Sequence, residues 1–162
     1  MSRRRNLIPL FHLLNGIALF TVAMIGFDVW DKLPKAVPVH FGIDGLPDRW
    51  SGKGAEAALL FALPWIVTGI LYLGLALYPW MRRHPRWMNI PHKERFLALP
   101  AEMQRGFFDL LVEFHLAVTL ACNALFLLII LATVRVAFGK TDRLPAWGIW
   151  PGLALVLAVS AL

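Results

Sequence analysis

Five polar residues interrupt otherwise apolar stretches of the chain: His12, Asn15, Glu113, His115 and Asn123. A charge at the centre of a bilayer costs roughly 2.5–3.5 kcal/mol on insertion scales, so such groups need partners. His12 with either Glu113 or His115 could form a proton relay, a metal site or an axial ligand to a tetrapyrrole. Glu113 and His115 are two residues apart, about 200° around a helix, so only one of them can point at His12. The competing reading is polar glue between helices, with Glu113 reaching towards the interface, and the spacing favours it.

A second group surrounds His40, with Asp28, Asp31, Asp44 and Asp48 close by in sequence. An imidazole and carboxylates can hold a metal, but no pair sits at i, i+4 on a helix or matches another ligand pattern, so no metal is expected. The alternative is structural: Asp44 and Asp48 accept turn and capping hydrogen bonds, Arg49 pairs with one of them, and His40 tethers the loop to a helix end. Ser2, Ser51 and Ser160 are the only serines, and none has a base beside it. No HExxH, phosphate-binding loop or GxGxxG pattern is present, so no catalytic residue is expected. Cys122, the single cysteine, excludes an intrachain disulfide and a thiolate cluster and is read as a packing residue.

These residues must be positioned by membrane helices. Of 162 residues, 59% are hydrophobic and 16% charged, with mean hydropathy +0.64. Four uncharged runs, at 6–27, 57–81, 114–134 and 144–162, are 19 to 25 residues long. About 17–25 helical residues cross a hydrocarbon core of about 30 Å. The predicted fold is therefore all-α, an integral membrane bundle of four transmembrane helices forming one domain over residues 1–162. Its spans fall at about 7–27, 57–80, 110–134 and 145–162, with an extracytoplasmic loop at 28–56 and a cytoplasmic loop at 81–106. Too little chain lies outside lipid for an enzyme built on a large soluble core. The third helix is expected to start before its uncharged run, because Glu102 to Asp109 follow Pro100 with helix-forming residues. The fourth run carries Gly148 and Gly152 at the GxxxG spacing that lets helices approach closely, weakened by Pro151.

The net charge of +6 and pI near 10.1 do not point to nucleic acid, because the basic residues flank apolar spans. Arg3, Arg4 and Arg5 precede the first span, and Arg82, Arg83, Arg86, Lys93, Arg95 and Arg105 fill the middle loop. Such clusters mark the cytoplasmic side, which places both termini there. The first apolar run continues to Phe27, longer than the core of a cleavable leader, so it stays attached as a span. Trp30, Trp80, Trp87, Trp147 and Trp150 fall near span ends, where indole anchors to the headgroup region.

The 28–56 loop is far longer than a usual helix connection. Leu33-Pro34-Lys35-Ala36-Val37-Pro38-Val39-His40-Phe41 reads as extended chain, Asp44-Gly45 as a turn, and Leu46-Pro47-Asp48-Arg49-Trp50 as a return. Trp50 and Phe41 are expected to bury against the helix ends, making the loop a structured cap. These residues, together with Lys53, resemble the signature of an uncharacterised bacterial membrane domain that also forms the N-terminal part of SdpI-type immunity proteins. A second stretch, Asn89-Ile90-Pro91-His92-Lys93-Glu94-Arg95-Phe96-Leu97-Ala98, is similar to the cytoplasmic-loop motif of short members, commonly N-[IL]-P-N-[KR]-x-[YF or W]-W-L-A. His92 replaces the usual asparagine and Phe96 the usual tryptophan. The resemblance implies a bacterial inner-membrane protein, and for SdpI-type members protection against a secreted toxin and a relay to a repressor.

Without a reaction motif, the expected function is a non-enzymatic membrane protein that binds a protein partner in the bilayer, as an accessory subunit of a larger respiratory or photosynthetic type of complex. The partner-binding loop would use His40, Phe41, Asp44, Pro47, Asp48, Arg49, Trp50 and Lys53, with Asn89, Pro91, His92 and Lys93 on the cytoplasmic side. No cofactor is required, although a groove could take a lipid or pigment. The other expectations are an SdpI-like immunity or sensing protein, and a small transporter or proton conductor working through His12 and Glu113.

Overall fold

The computed structural model describes residues 7–145. In chain order the elements are α1 (Ile8–Val29), β1 (Ala36–Phe41), β2 (Pro47–Gly52), α2 (Ala55–Leu75), α3 (Tyr78–Arg83), a single 3-10 turn at Pro85–Trp87, α4 (Lys93–Leu97) and α5 (Ala101–Ala137). Proline sets several starts. Pro9 and Pro79 sit in the first turns of α1 and α3, where the missing N–H would have had no helical partner. Pro100, at φ −54° and ψ 145°, is the N-cap of α5. Gly139 ends α5 in the left-handed region at φ 67°, donating to the Val136 carbonyl at 2.9 Å while Lys140 N–H reaches the Arg135 carbonyl at 2.8 Å.

Three stretches are long and apolar enough to cross a membrane: Ile8–Val29, Ala55–Arg83 and Ala101–Ala137. The protein is accordingly a mostly helical membrane protein. The proposed fourth run, with Trp147, Gly148, Trp150 and Gly152, lies outside the described residues. The all-α expectation needs one amendment, because the long loop contains a two-stranded antiparallel sheet.

α1 and α2 both lean on α5 and touch each other least. The helix α5 has 37 residues, about 55 Å of helix against a hydrocarbon core of about 30 Å. Leu7 N–H meets the Glu113 carboxylate at 3.3 Å, which sets the start of α1 level with Glu113. The first three turns of α5 therefore project beyond that level. The projection is held by an Arg82–Asp109 ion pair and by Phe96 of α4, whose ring lies 5.0 Å from Phe107 and 6.1 Å from Phe108.

At the other end, Leu33, Val37 and Ala57 form a buried core with Val29, Trp30, Phe61 and Ala137 around it. This core fastens β1 to the ends of α1, α2 and α5. The strands pair Ala36 with Gly52, Val37 with Ser51, Pro38 with Trp50 and His40 with Arg49, with irregular register after Pro38. The turn closes through Gly45 N–H to the Gly42 carbonyl at 2.9 Å and Gly42 N–H to the Leu46 carbonyl at 2.8 Å. Gly45 is required twice. Its φ is +79°, and a Cβ there would lie 2.7 Å from the Leu144 carbonyl oxygen.

Candidate functional site

Asn15, Asn123 and Thr68 form a buried polar clasp that joins three helices at one level. Thr68 Oγ1 donates to Asn123 Oδ1 at 2.8 Å, and Asn123 Nδ2 donates to Asn15 Oδ1 at 2.9 Å. Asn15 Nδ2 donates in turn to the Phe11 carbonyl at 2.9 Å and the Leu116 carbonyl at 3.2 Å. All three side chains are buried. Every polar atom named here has a partner, as an apolar medium demands.

The other intramembrane residues are not gathered into one centre. The partner of His12 is Tyr72 of α2, with Nδ1 2.9 Å from Oη and the rings edge-to-face at 5.5 Å, so the expected pairing of His12 with Glu113 or His115 is not formed. Two turns of α2 carry Thr68 and Tyr72 to the α1 face that bears Asn15 and His12. His115 instead donates Nε2–H to the Leu71 carbonyl at 2.9 Å and lies edge-on to Tyr78 at 5.8 Å. The buried Glu113 carboxylate faces the first turn of α1, receiving Leu7 N–H. A carboxylate at a helix N-terminus is stabilised by the unsatisfied N–H groups and the helix dipole, which accounts for an acid at this depth.

On the hairpin, His40 Nδ1 lies 2.6 Å from Asp48 Oδ1 across the strands, so His40 closes the hairpin and does not tether it to a helix end. Asp44 Oδ1 accepts Leu46 N–H at 3.0 Å, the expected turn bond. Arg49 stands opposite His40 and makes no ion pair among the described residues. Lys53 lies 3.8 Å from Asp31 and 5.7 Å from the Trp30 ring centroid. Trp50 does not bury against the helix ends: it is 49% exposed, Ile43 at the turn is 88% exposed, and Phe41 is half-buried. The strand pairing is regular through Pro38 and Trp50 and irregular only beyond them, towards the turn. The hairpin tip also holds the chain beyond α5, because Leu144 N–H donates to the Gly45 carbonyl at 2.8 Å. Beside it, the Arg143 guanidinium holds the exposed Asp142 carboxyl below its ordinary range by hydrogen bonding.

At the opposite end, His92 has φ 53° and ψ 42°, and its carbonyl accepts Arg95 N–H and Phe96 N–H to start α4. Asparagine tolerates this left-handed conformation better than most residues, and histidine shares some of that tolerance. Lys93 Nζ donates to the Arg86 carbonyl at 3.3 Å, while Asn89 and Pro91 lie exposed in the preceding loop. Among the described residues, no three His, Cys, Asp or Glu side chains cluster in a way that could hold a metal ion.

Thr68 and Tyr72 are the residues that sequence reasoning missed. Their signal was depth: Asn15 lies seven residues after the start of α1 and Thr68 seven before the end of α2, with His12 and Tyr72 similarly matched. Between these faces runs an open cleft. Its lower part, about 410 Å³, is lined by His12, Asn15, Gly16, Thr68, Gly69 and Tyr72 among others. Its upper part, about 620 Å³, passes Ala23, Gly26, Ala58 and Ala62 to Trp30, and Trp65 belongs to both.

Comparison with known proteins places the chain near sequences without an assigned activity. No solved structure matches it significantly. An uncharacterized protein of Archaeoglobus fulgidus is 33% identical over 79 residues, covering 48% of this chain and 43% of that relative. The chain thus matches less than half the length of that protein. Residues 16–64, which contain most of α1, the whole hairpin and the first half of α2, match a family described as Domain of unknown function (DUF1648).

Proposed function

We propose that the protein is a non-enzymatic integral membrane component that binds a protein partner, as an accessory or stabilising subunit of a larger membrane complex of respiratory or photosynthetic type. The observation that carries this is the hairpin: it is fastened to the helix ends through Val37 and to the chain beyond α5 through Gly45, yet presents Ile43 at 88% and Trp50 at 49% exposure. A rigid support beneath an apolar tip is the form of a docking surface, since monomeric proteins seldom expose such groups together without a use. His40, Asp44, Pro47, Asp48 and Arg49 shape and rim that tip. In this reading the polar intramembrane residues hold helices together, and the protein is not an enzyme and needs no cofactor.

The complete architecture is proposed as four spans in the bacterial cytoplasmic membrane, with both termini and the basic 81–106 loop inside and the hairpin outside. The charge clusters and the apolar run at 144–162 support it. Purification from native membranes in mild detergent tests the function. A defined complex that Ile43→Asp and Trp50→Ala dissociate is the expected result; a chain that runs alone in wild-type form overturns it.

A second reading, SdpI-like immunity or sensing, rests on the resemblance carried by the hairpin residues Leu33 to Lys53. There the same tip would meet a secreted toxin, and the hairpin substitutions would abolish protection of cells exposed to it. The proton-conducting reading has less support, because His12 and Glu113 engage Tyr72 and Leu7 and not each other.

A further inference from the structure

We infer that the cleft between α1 and α2 is a binding site for a quinone-type lipid, a flat uncharged ring with an isoprenoid tail. Most polar side chains inside the helices are satisfied by buried partners or backbone carbonyls, as Asn15, Asn123, Thr68, His115 and Thr119 are. The His12–Tyr72 pair differs. It faces the cleft, and among the described residues its two side chains hydrogen-bond only to each other. With a neutral imidazole the outcome is the same in either tautomer. If Tyr72 O–H donates to Nδ1, Nε2–H remains as a donor; if Nδ1–H donates to Tyr72, the phenol O–H remains. Either way one donor and one acceptor point to a group in the cleft, and a ring carbonyl satisfies the donor.

The chemistry of the pair suits an uncharged head: with a neutral imidazole it offers one donor and one acceptor and no fixed cation to hold a phosphate, and it lies about 6 Å along α1 from the helix start. Shape selects a flat one. A Cβ built on Gly16 or on Gly69 would meet nothing within 4 Å, so the two glycines leave open space beside the His12–Tyr72 pair, bounded by Trp65. Above Trp65 the cleft continues past Ala23, Gly26, Ala58 and Ala62, with Phe27 and Phe61 also lining it, as an apolar lane for a hydrocarbon tail ending at Trp30. The volumes, about 410 and about 620 Å³, each fall in the range of roughly 300–1,000 Å³ of ligand pockets. The site is independent of the partner-binding reading of the hairpin.

The test uses the full chain in phosphatidylcholine nanodiscs, titrated with decylubiquinone and read by quenching of tryptophan fluorescence, with Trp65→Phe to identify the reporter. Wild type should quench saturably. His12→Ala and Tyr72→Phe should weaken binding about tenfold or more, the loss of a buried hydrogen bond, and Gly69→Leu should abolish saturation by filling the slot. Tyr72→Phe preserves volume and fold, so it keeps the test decisive if Gly69→Leu misfolds. Quenching that rises linearly and equally in wild type and Tyr72→Phe overturns the site. So does quantitative disulfide formation, in a Cys122→Ala background, between Gly69→Cys and a cysteine placed in residues 146–162 or on a second copy, which would make the cleft a seat for protein.

Discussion

Removing the amide of Asn123 should loosen all three helices at once, and the clasp geometry sets by how much. Asn123→Leu keeps the branching and heavy-atom count of the side chain and is slightly bulkier, so no cavity is opened. It deletes two hydrogen bonds, from Thr68 at 2.8 Å and to Asn15 at 2.9 Å. The two partners are not equally harmed. Thr68 can turn its hydroxyl to the carbonyl four residues back, as Thr21 and Thr119 already do at 2.8 Å. Asn15 keeps both bonds from its Nδ2 but is left with a buried, unpartnered Oδ1. Hydrogen bonds between membrane helices average about 0.6 kcal/mol and reach about 1.7, while an orphaned buried acceptor costs about 1–3 kcal/mol, so the expected loss is about 1–2.5 kcal/mol. Reversible unfolding in mixed micelles measures it, and double-mutant cycles apportion it. Coupling between Asn15→Leu and Asn123→Leu should be about 1 kcal/mol, exceeding that between Thr68→Val and Asn123→Leu, which the backbone fallback reduces to about 0.5 kcal/mol or less. A neutral or stabilising Asn123→Leu, or the reverse order of couplings, refutes the argument.

Other substitutions test single features. His92→Gly should raise stability by about 0.5–1 kcal/mol and His92→Asn by a few tenths, whereas His92→Val should lower it by about 1–2 kcal/mol, because only the β-branched residue is strongly opposed by the left-handed backbone. Thermal unfolding in detergent reads all three, and identical midpoints would remove the conformational explanation. Gly45→Ala should cost about 1–3 kcal/mol from its positive φ alone and more from contact with the Leu144 carbonyl; protease sensitivity after Ala137 should rise with it. Glu113→Leu should destabilise by up to about 2 kcal/mol by removing the carboxylate from the start of α1, with Glu113→Gln intermediate; equal stability of all three would show that the carboxylate does not cap the helix.

Much of the helical layout is legible because apolar run length and charge gaps measure the same quantity that lipid does. The start of α5 is legible as well: the third uncharged run stops at charged residues, but α5 begins right after Pro100 and continues through Glu102, Arg105 and Asp109, as the helix-forming residues there predict, and that part is held by Arg82 and by Phe96. The hairpin could be anticipated from Pro38 and Asp44-Gly45, whose backbone preferences are local. Which faces it would bury could not. Trp50 is apolar enough for a core, yet it stands opposite Pro38 and is 49% exposed, because which strand face is buried depends on the helices packed against it and not on any local pattern.

Partnering inside the bundle shows the same division. Asn15 and Asn123 stand out as polar residues in lipid, and two such groups at similar depth must find each other or the backbone. Histidine is less constrained, since its bulk and two nitrogens admit several partners. His115 is settled by a carbonyl on α2, an atom that every residue possesses and no sequence pattern marks. His12 is settled by a tyrosine, which at that depth reads equally as an interfacial anchor. The consequence is asymmetric. Among the described residues, the α5 side of α1 and α2 is closed by buried hydrogen bonds, while the side they turn to each other carries Gly16, Gly69 and three alanines beside Phe61 and Trp65 and leaves the His12–Tyr72 pair facing the cleft. Had the bundle needed only to be stable, larger apolar residues at positions 16 and 69 would have closed that side at no cost in hydrogen bonding, so the open cleft is the feature stability alone does not account for.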